Sequence, residues 1–299
     1  MEPLNPKLGS NVPNPAAAPK PSAPNVWLRL FVFVFIGFVS LTGIGLALYG
    51  WAGTLATGIA ASFGSAALAN GITLRIYERG RLDDIGLDFS RAAGTNFGWG
   101  FLGGLGSAVL VAVIPLLTGL AKLEPAAPQT HLAWSFAFVA VGLFFGAVGE
   151  EMLFRGYGFQ ILLQRWGPFA TVLPISVIFA WAHADNPAAN WLALLNTFAW
   201  GILLGLCFLR SGDLWLPIGV HFGWNFALPM FGVNLSGHTM SVTGYTMTWN
   251  ASPLWSGGDY GLEGSILTLL VLPLTGFYLW RAPILVRRPF LLGGPEEGE

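Results

Sequence analysis

Charge and cysteine are both scarce in this sequence. Only 10% of its 299 residues are Asp, Glu, Lys or Arg, while 54% are hydrophobic. A soluble domain carries about 25% charged residues, so the deficit excludes an ordinary water-soluble fold. The formal net charge of −1 leaves no basic surface to attract phosphate, and no nucleic-acid partner is expected. The single cysteine, Cys207, allows no intrachain disulfide. In its apolar segment it reads as a small core or lipid-facing hydrophobe. Alternating strand patterns and internal repeats are also missing. What is abundant is apolar sequence, with a mean hydropathy of +0.62. Lipid offers no partner for a bare backbone, so long apolar runs without strand alternation must be helices. The fold class is therefore all-α: a polytopic membrane helical bundle.

Residues 1–25 hold seven of the twenty prolines and are expected to form a disordered cytoplasmic tail. The tail is too long and too Pro-rich for the n-region of a signal peptide, so the first span is expected to be a retained anchor. A spanning helix needs about 20 apolar residues. Candidate spans are 27–49, 54–76, 96–120, 132–152 (continuing as helix to about 165), 169–184, 190–209, 214–230 and 264–281. This gives about eight transmembrane helices. The chain divides into the tail (1–25), the first three helices with a charged cytoplasmic loop (26–130), a polar-bearing core (131–230), an extracytoplasmic loop without Lys or Arg (231–263), and the last helix with a cytoplasmic tail (264–299). Glycine pairs at small-xxx-small spacing, such as Gly142 and Gly146 or Gly201 and Gly205, suit close helix packing.

Basic residues fix an expected orientation. With both termini inside, thirteen of the fourteen Lys and Arg fall on the cytoplasmic side and Lys122 alone falls outside. The partner implied throughout is the lipid bilayer, and the expected location is a bacterial cell membrane with both termini cytoplasmic. His131 and His238 belong to the outer side, where solvent-facing or interfacial roles are expected.

Against this apolar background one polar set stands out. Glu150 and Glu151 are adjacent inside an apolar run, and Arg155 follows Glu151 at i,i+4, where the two share a helix face and can pair. Glu150 points about 100° away, toward another neighbour. Ionisable groups at membrane depth cost about 2.5–3.5 kcal/mol each, which marks working sites. Glu150 lies sixteen residues before Trp166, and His183 lies fifteen after Pro168. If Trp166-Gly167-Pro168 is the tip of a helical hairpin, both sit on the order of 23 Å from it, at one depth. Phe179 and His183 are spaced i,i+4, which predicts a ring packed beneath the histidine. His221 and Asn225 share one face of the seventh span. A glutamate beside a histidine can activate a water, and a histidine with an amide on a facing helix can donate to a developing oxyanion. That is the chemistry of amide or ester hydrolysis on a membrane-associated substrate. Glu150, His183 and His221 also form a two-His, one-Glu set that suits zinc. A transporter would instead show acids at several depths and repeated halves.

These residues resemble the CPBP family, the CAAX-protease and bacteriocin-processing membrane proteins also called the Abi group. The first family motif stands as Glu150-Glu151-Met152-Leu153-Phe154-Arg155, the second as Phe179-Ala180-Trp181-Ala182-His183, and the third as His221-Phe222-Gly223-Trp224-Asn225. The resemblance covers residues 140–230 and implies an eight-helix intramembrane endopeptidase acting on membrane-associated peptides or proteins, including prenylated CAAX-type C-termini. It implies Glu150 as the water-activating base helped by His183, His221 and Asn225 as oxyanion stabilisers, and Glu151 with Arg155 as support. No cofactor is favoured, because Asn225 is a poor zinc ligand and a good oxyanion donor; Zn2+ held by Glu150, His183 and His221 is the alternative. A non-catalytic immunity or regulatory partner with the same fold is the competing class.

Overall fold

The computed structural model describes residues 24–127, 132–287 and 291. The Pro-rich tail up to residue 23 and His131 lie outside the described residues.

Nine helices form among the described residues: α1 (Val26–Leu48), α2 (Thr54–Thr73), α3 (Arg91–Leu117), α4 (Leu132–Arg155), α5 (Tyr157–Ala182), α6 (Trp191–Ser211), α7 (Trp215–Met230), the single turn α8 (Pro253–Ser256) and α9 (Ile266–Arg281). All but α8 fall on the spans expected from sequence. Five stretches are long and apolar enough to cross a membrane: Val26–Leu48, Thr54–Glu78, Arg91–Leu117, Leu132–Ala182 and Trp191–Ser211. The chain is an integral membrane protein built as an all-α bundle.

Side-chain caps set several helix starts. Asn25 accepts from Trp27 N at 2.9 Å. Ser90 accepts from Ala93 N at 3.2 Å. Asn190 accepts from Leu192 N and Ala193 N, both at 3.0 Å. Each satisfies backbone donors that the first turn leaves free. Asp213 accepts from Leu216 N at 3.1 Å at the start of α7, and Asn96 of α3 donates to its other oxygen at 2.6 Å.

Three features differ from the sequence reading. First, α4 does not run on to residue 165 but ends at Arg155, and α5 begins after Gly156. A helix break in lipid strands backbone groups, and here two side chains take them up. Asn70 of α2 accepts from Tyr157 N at 2.7 Å and donates to Met152 O at 3.0 Å. Gln160 donates to Arg155 O at 3.1 Å and to Ile85 O at 3.0 Å. Second, Gly167 is a kink inside α5 rather than the only turn, with φ 78° and ψ 179°. That backbone conformation favours glycine, and Pro168 resumes the helix beyond it, where a missing N–H costs nothing. The turn between Glu150 and His183 is thus spread over two breaks. Third, the outer segments are not wholly loop. A two-stranded antiparallel ribbon joins β1 (Ala121–Pro125) to β2 (Tyr245–Trp249), with Leu123 opposite Met247.

Glycine sets the tightest helix contact, between α3 and α7. A Cβ on Gly104 would collide with the Val220 carbonyl and lie 2.8 Å from Trp224 N. A Cβ on Gly100 would lie 3.0 Å from Val220 N. From the other side, a Cβ on Gly219 would lie 2.9 Å from Phe101 N, and one on Gly223 would lie 2.8 Å from Leu105 N. Two small-xxx-small pairs face one another, so the backbones touch directly. The same device presses Gly149 of α4 onto Phe63 of α2 and Gly201 of α6 onto Ser176 of α5.

Polar ties close one end of the bundle. Arg29 pairs with Glu78, and both bond to Tyr157 Oη. Arg287 pairs with Asp88, while Asn96 holds Leu285 through both its backbone groups. The ribbon and the segment from 231 to 265 close the other end.

Candidate active site

Helix α4 supplies the acids. Glu151 is fully buried, as is Arg155, and the ion pair expected from their spacing forms, with Arg155 Nη1 3.2 Å from Glu151 Oε1. Arg155 reaches further and donates from Nη2 to Gly201 O at 2.9 Å. Its guanidinium lies 4.8 Å from the centroid of the Phe179 ring, a placement that favours a cation. One carboxylate oxygen and one carbonyl therefore hold a buried arginine between α4, α5 and α6.

Helix α7 brings His221 to the same carboxylate. His221 Nδ1 lies 2.9 Å from Glu151 Oε1. An ionised carboxylate only accepts, so the hydrogen sits on Nδ1 and the ring turns Nε2 toward Glu150 Oε2, 3.8 Å away. His183 caps the end of α5, and its ring packs on Phe179 at 4.7 Å between centroids, as the i,i+4 spacing predicts. Its Nδ1 lies 2.8 Å from Phe179 O. A carbonyl also only accepts, so this ring too carries its hydrogen on Nδ1. Its Nε2 is 3.6 Å from Glu150 Oε2.

The four groups so arranged have a plain chemical meaning. Glu150 Oε2 is buried and has no hydrogen-bond partner. Two imidazole Nε2 atoms face it at distances too long for direct bonds. Three acceptors around one gap call for a proton donor between them, and a water molecule fits such spans. Zinc would also suit lone pairs of this kind. Among the described residues, however, no group of three or more His, Cys, Asp or Glu is placed to hold a metal ion.

A cavity of about 460 Å³ opens over these groups. Glu150, His183, His221 and Asn225 all line it, so the structure brings the four sequence-predicted residues together. Glu151 and Arg155 sit behind them. The remaining lining is largely apolar, including Leu55, Ile59, Leu143, Phe154, Trp200 and Met240.

The sequence reading missed part of this wall. His238, read as an outer residue, lines the cavity, as does Glu263. Glu263 Oε1 accepts from Trp224 Nε1 at 3.0 Å, and Oε2 accepts from Ser236 N at 2.6 Å and Ser236 Oγ at 2.8 Å. It therefore ties the outer segment to the helix that carries His221 and Asn225. A glutamate in a loop whose other charged residue is Asp259 was the available signal, but nothing in local spacing names partners 27 and 39 residues away.

Residues 132–227 match the family described as Type II CAAX prenyl endopeptidase Rce1-like. The match runs from the start of α4 nearly to the end of α7 and contains all six polar residues. It bears out the resemblance read from the three motifs. A curated relative, an uncharacterized 24.3 kDa protein of Escherichia coli, is 29% identical over 119 residues, which is 39% of this chain and 51% of that protein. The chain thus spans about half the length of the curated relative it matches.

Proposed function

We propose that this chain is an intramembrane endopeptidase in which Glu150 activates water. The observation that carries this reading is the unpartnered Glu150 Oε2 facing two histidines whose Nδ1 atoms are already engaged. A water between Glu150 Oε2 and His183 Nε2 gives its proton to the carboxylate, and its oxygen bonds to the scissile carbonyl carbon. The carbonyl π electrons move to oxygen. Asn225 donates to that oxyanion, joined by His221 Nε2 when the ring is doubly protonated. Collapse of the intermediate restores the carbonyl and breaks the C–N bond, and protonated Glu150 passes its proton to the leaving amine. Glu151 keeps the Nδ1 hydrogen of His221 in place, and Arg155 balances the charge of Glu151.

No step needs a metal ion. The substrate is a membrane-associated peptide or protein, with a prenylated CAAX-type C-terminus as the form suggested by the family match. A cavity of about 460 Å³ with largely apolar walls supports a chain segment with apolar side chains. Both termini are assigned to the cytoplasm. In support, Arg29, Arg210 and Arg287 gather at one end of the bundle, while Lys122 lies on the ribbon at the other.

The test is cleavage of a panel of membrane-associated peptides, prenylated forms included, by the purified chain in detergent. Glu150→Gln is nearly isosteric and is expected to abolish cleavage while the protein remains folded, and His183→Ala is expected to do the same. Biological function retained by Glu150→Gln would overturn the hydrolytic reading in favour of a non-catalytic immunity or regulatory partner.

A further inference from the structure

Among the described residues, three that line the cavity each carry a buried side-chain atom without a hydrogen-bond partner: Glu150 Oε2, Ser62 Oγ and Trp200 Nε1. The first is the proposed base. The indole N–H can only donate, and Trp200 is just 7% exposed. Burying a donor without an acceptor is unfavourable, which marks a place kept for a group that arrives with a ligand. The neighbouring indole gives the contrast. Trp224 packs against Trp200 at 4.8 Å between centroids, and its own N–H is satisfied by Glu263. The second oxygen of Glu263 is occupied by Ser236. Nor can α6 turn to find Trp200 another acceptor. Gly201, the next residue, holds Arg155 through its carbonyl and lies against the Ser176 backbone.

We propose that Trp200 Nε1 is a substrate-anchoring donor that binds a main-chain carbonyl oxygen of the peptide near the scissile bond. Ser62 Oγ, on α2, offers a second main-chain contact. A neutral carbonyl is the fitting acceptor, because a carboxylate would share the cavity with Glu150 and Glu263. This inference builds on the endopeptidase reading but is tested by binding, which does not require turnover.

The experiment measures binding of a fluorescein-labelled farnesylated nonapeptide to Glu150→Gln in detergent. Single main-chain carbonyls are replaced one at a time by thiocarbonyls, which are weaker acceptors. One position is expected to weaken binding by about threefold to tenfold. Adding Trp200→Phe is expected to weaken the all-amide parent similarly and to erase the penalty at that position alone. Replacing Trp200 with benzothienylalanine keeps the ring shape without the N–H and should behave alike. An unchanged affinity, an equal loss for every analogue, or no binding by Glu150→Gln overturns the anchor. Cleavage of the parent peptide by the chain with Glu150 intact is read alongside. Trp200-dependent binding without cleavage keeps the anchor and removes the hydrolytic reading, and cleavage with Trp200-independent binding does the reverse.

Discussion

His221 stands between two adjacent glutamates of one helix, with Nδ1 2.9 Å from Glu151 and Nε2 3.8 Å from Glu150. Neighbours in sequence point about 100° apart on a helix, so a single imidazole on a facing helix can meet both. The two carboxylates thereby receive different tasks: Glu151 fixes a ring, and Glu150 is left open to the cavity.

Glu151→Gln separates these tasks. Arg155 loses its buried counter-charge, and breaking such a pair typically destabilises by about 3–5 kcal/mol. His221 keeps only a neutral amide oxygen in place of the carboxylate that holds its Nδ1 hydrogen, a weaker acceptor. The expected outcome is a lower unfolding temperature together with lost cleavage, whereas Glu150→Gln should lose cleavage with little change in unfolding. Thermal unfolding in detergent, run beside the peptide assay, checks the contrast.

Asn225→Ala removes one proposed oxyanion donor without touching the buried ion pair. A loss of about 10²–10³ in kcat is expected, with KM nearly unchanged. A rise in KM at constant kcat would show that Asn225 binds substrate rather than the transition state.

Chelator treatment addresses the water-activating group. Cleavage is expected to survive chelation and to gain nothing from added zinc. Loss with chelator and recovery with zinc would transfer Glu150, His183 and His221 to the role of ligands.

Gly104→Val forces a branched side chain into the Val220 carbonyl and toward Trp224 N. Both contacts are backbone, so no rotamer relieves them, and α3 and α7 must part. Overpacking of this kind costs about 1–3 kcal/mol or more. Gly106 meets no atom within 4 Å of an added Cβ, and Gly106→Val on the same helix should leave unfolding and cleavage unaltered.

Acid should loosen the end of the bundle that holds Arg287. Burial works to raise the Asp88 carboxyl, but hydrogen bonds from Arg287 and Ser90 and the charge of Arg287 outweigh it, so the group sits below the ordinary carboxylate range. A folded-state pKa below the unfolded one means that the pair stabilises above the unfolded value, about 3.9, and that this contribution is lost as pH falls through the folded value. Unfolding measured from about pH 6 to about pH 3 should show this loss, and Arg287→Gln should flatten it.

The site was legible in sequence because its chemistry is rare in its surroundings. Glu150, Glu151, Arg155 and His183 interrupt runs of apolar residues, and helical spacing alone paired Glu151 with Arg155 and Phe179 with His183. The long apolar helices were legible for the related reason that lipid demands length. The break at Gly156 was not, since Asn70 makes it tolerable from 87 residues away. The ribbon was not, because its strands are only five residues long and β1 carries one Lys and one Glu. That His238 and Glu263 line the cavity was not legible, because the outer segment reaches it through contacts that no local period encodes.

The glycine seam between α3 and α7 fixes one of the helices that line the cavity. His221 and Asn225, two of the four proposed catalytic residues, ride on a helix whose position is set by backbone touching backbone, so an added side chain at Gly219 or Gly223 is punished. Leu55 and Ile59 of α2 and Met240 of the outer segment also line the cavity, with apolar residues outside the seam. A lineage carrying this fold could therefore reshape the cavity by drifting at these positions while the placement of His221 and Asn225 stays the same.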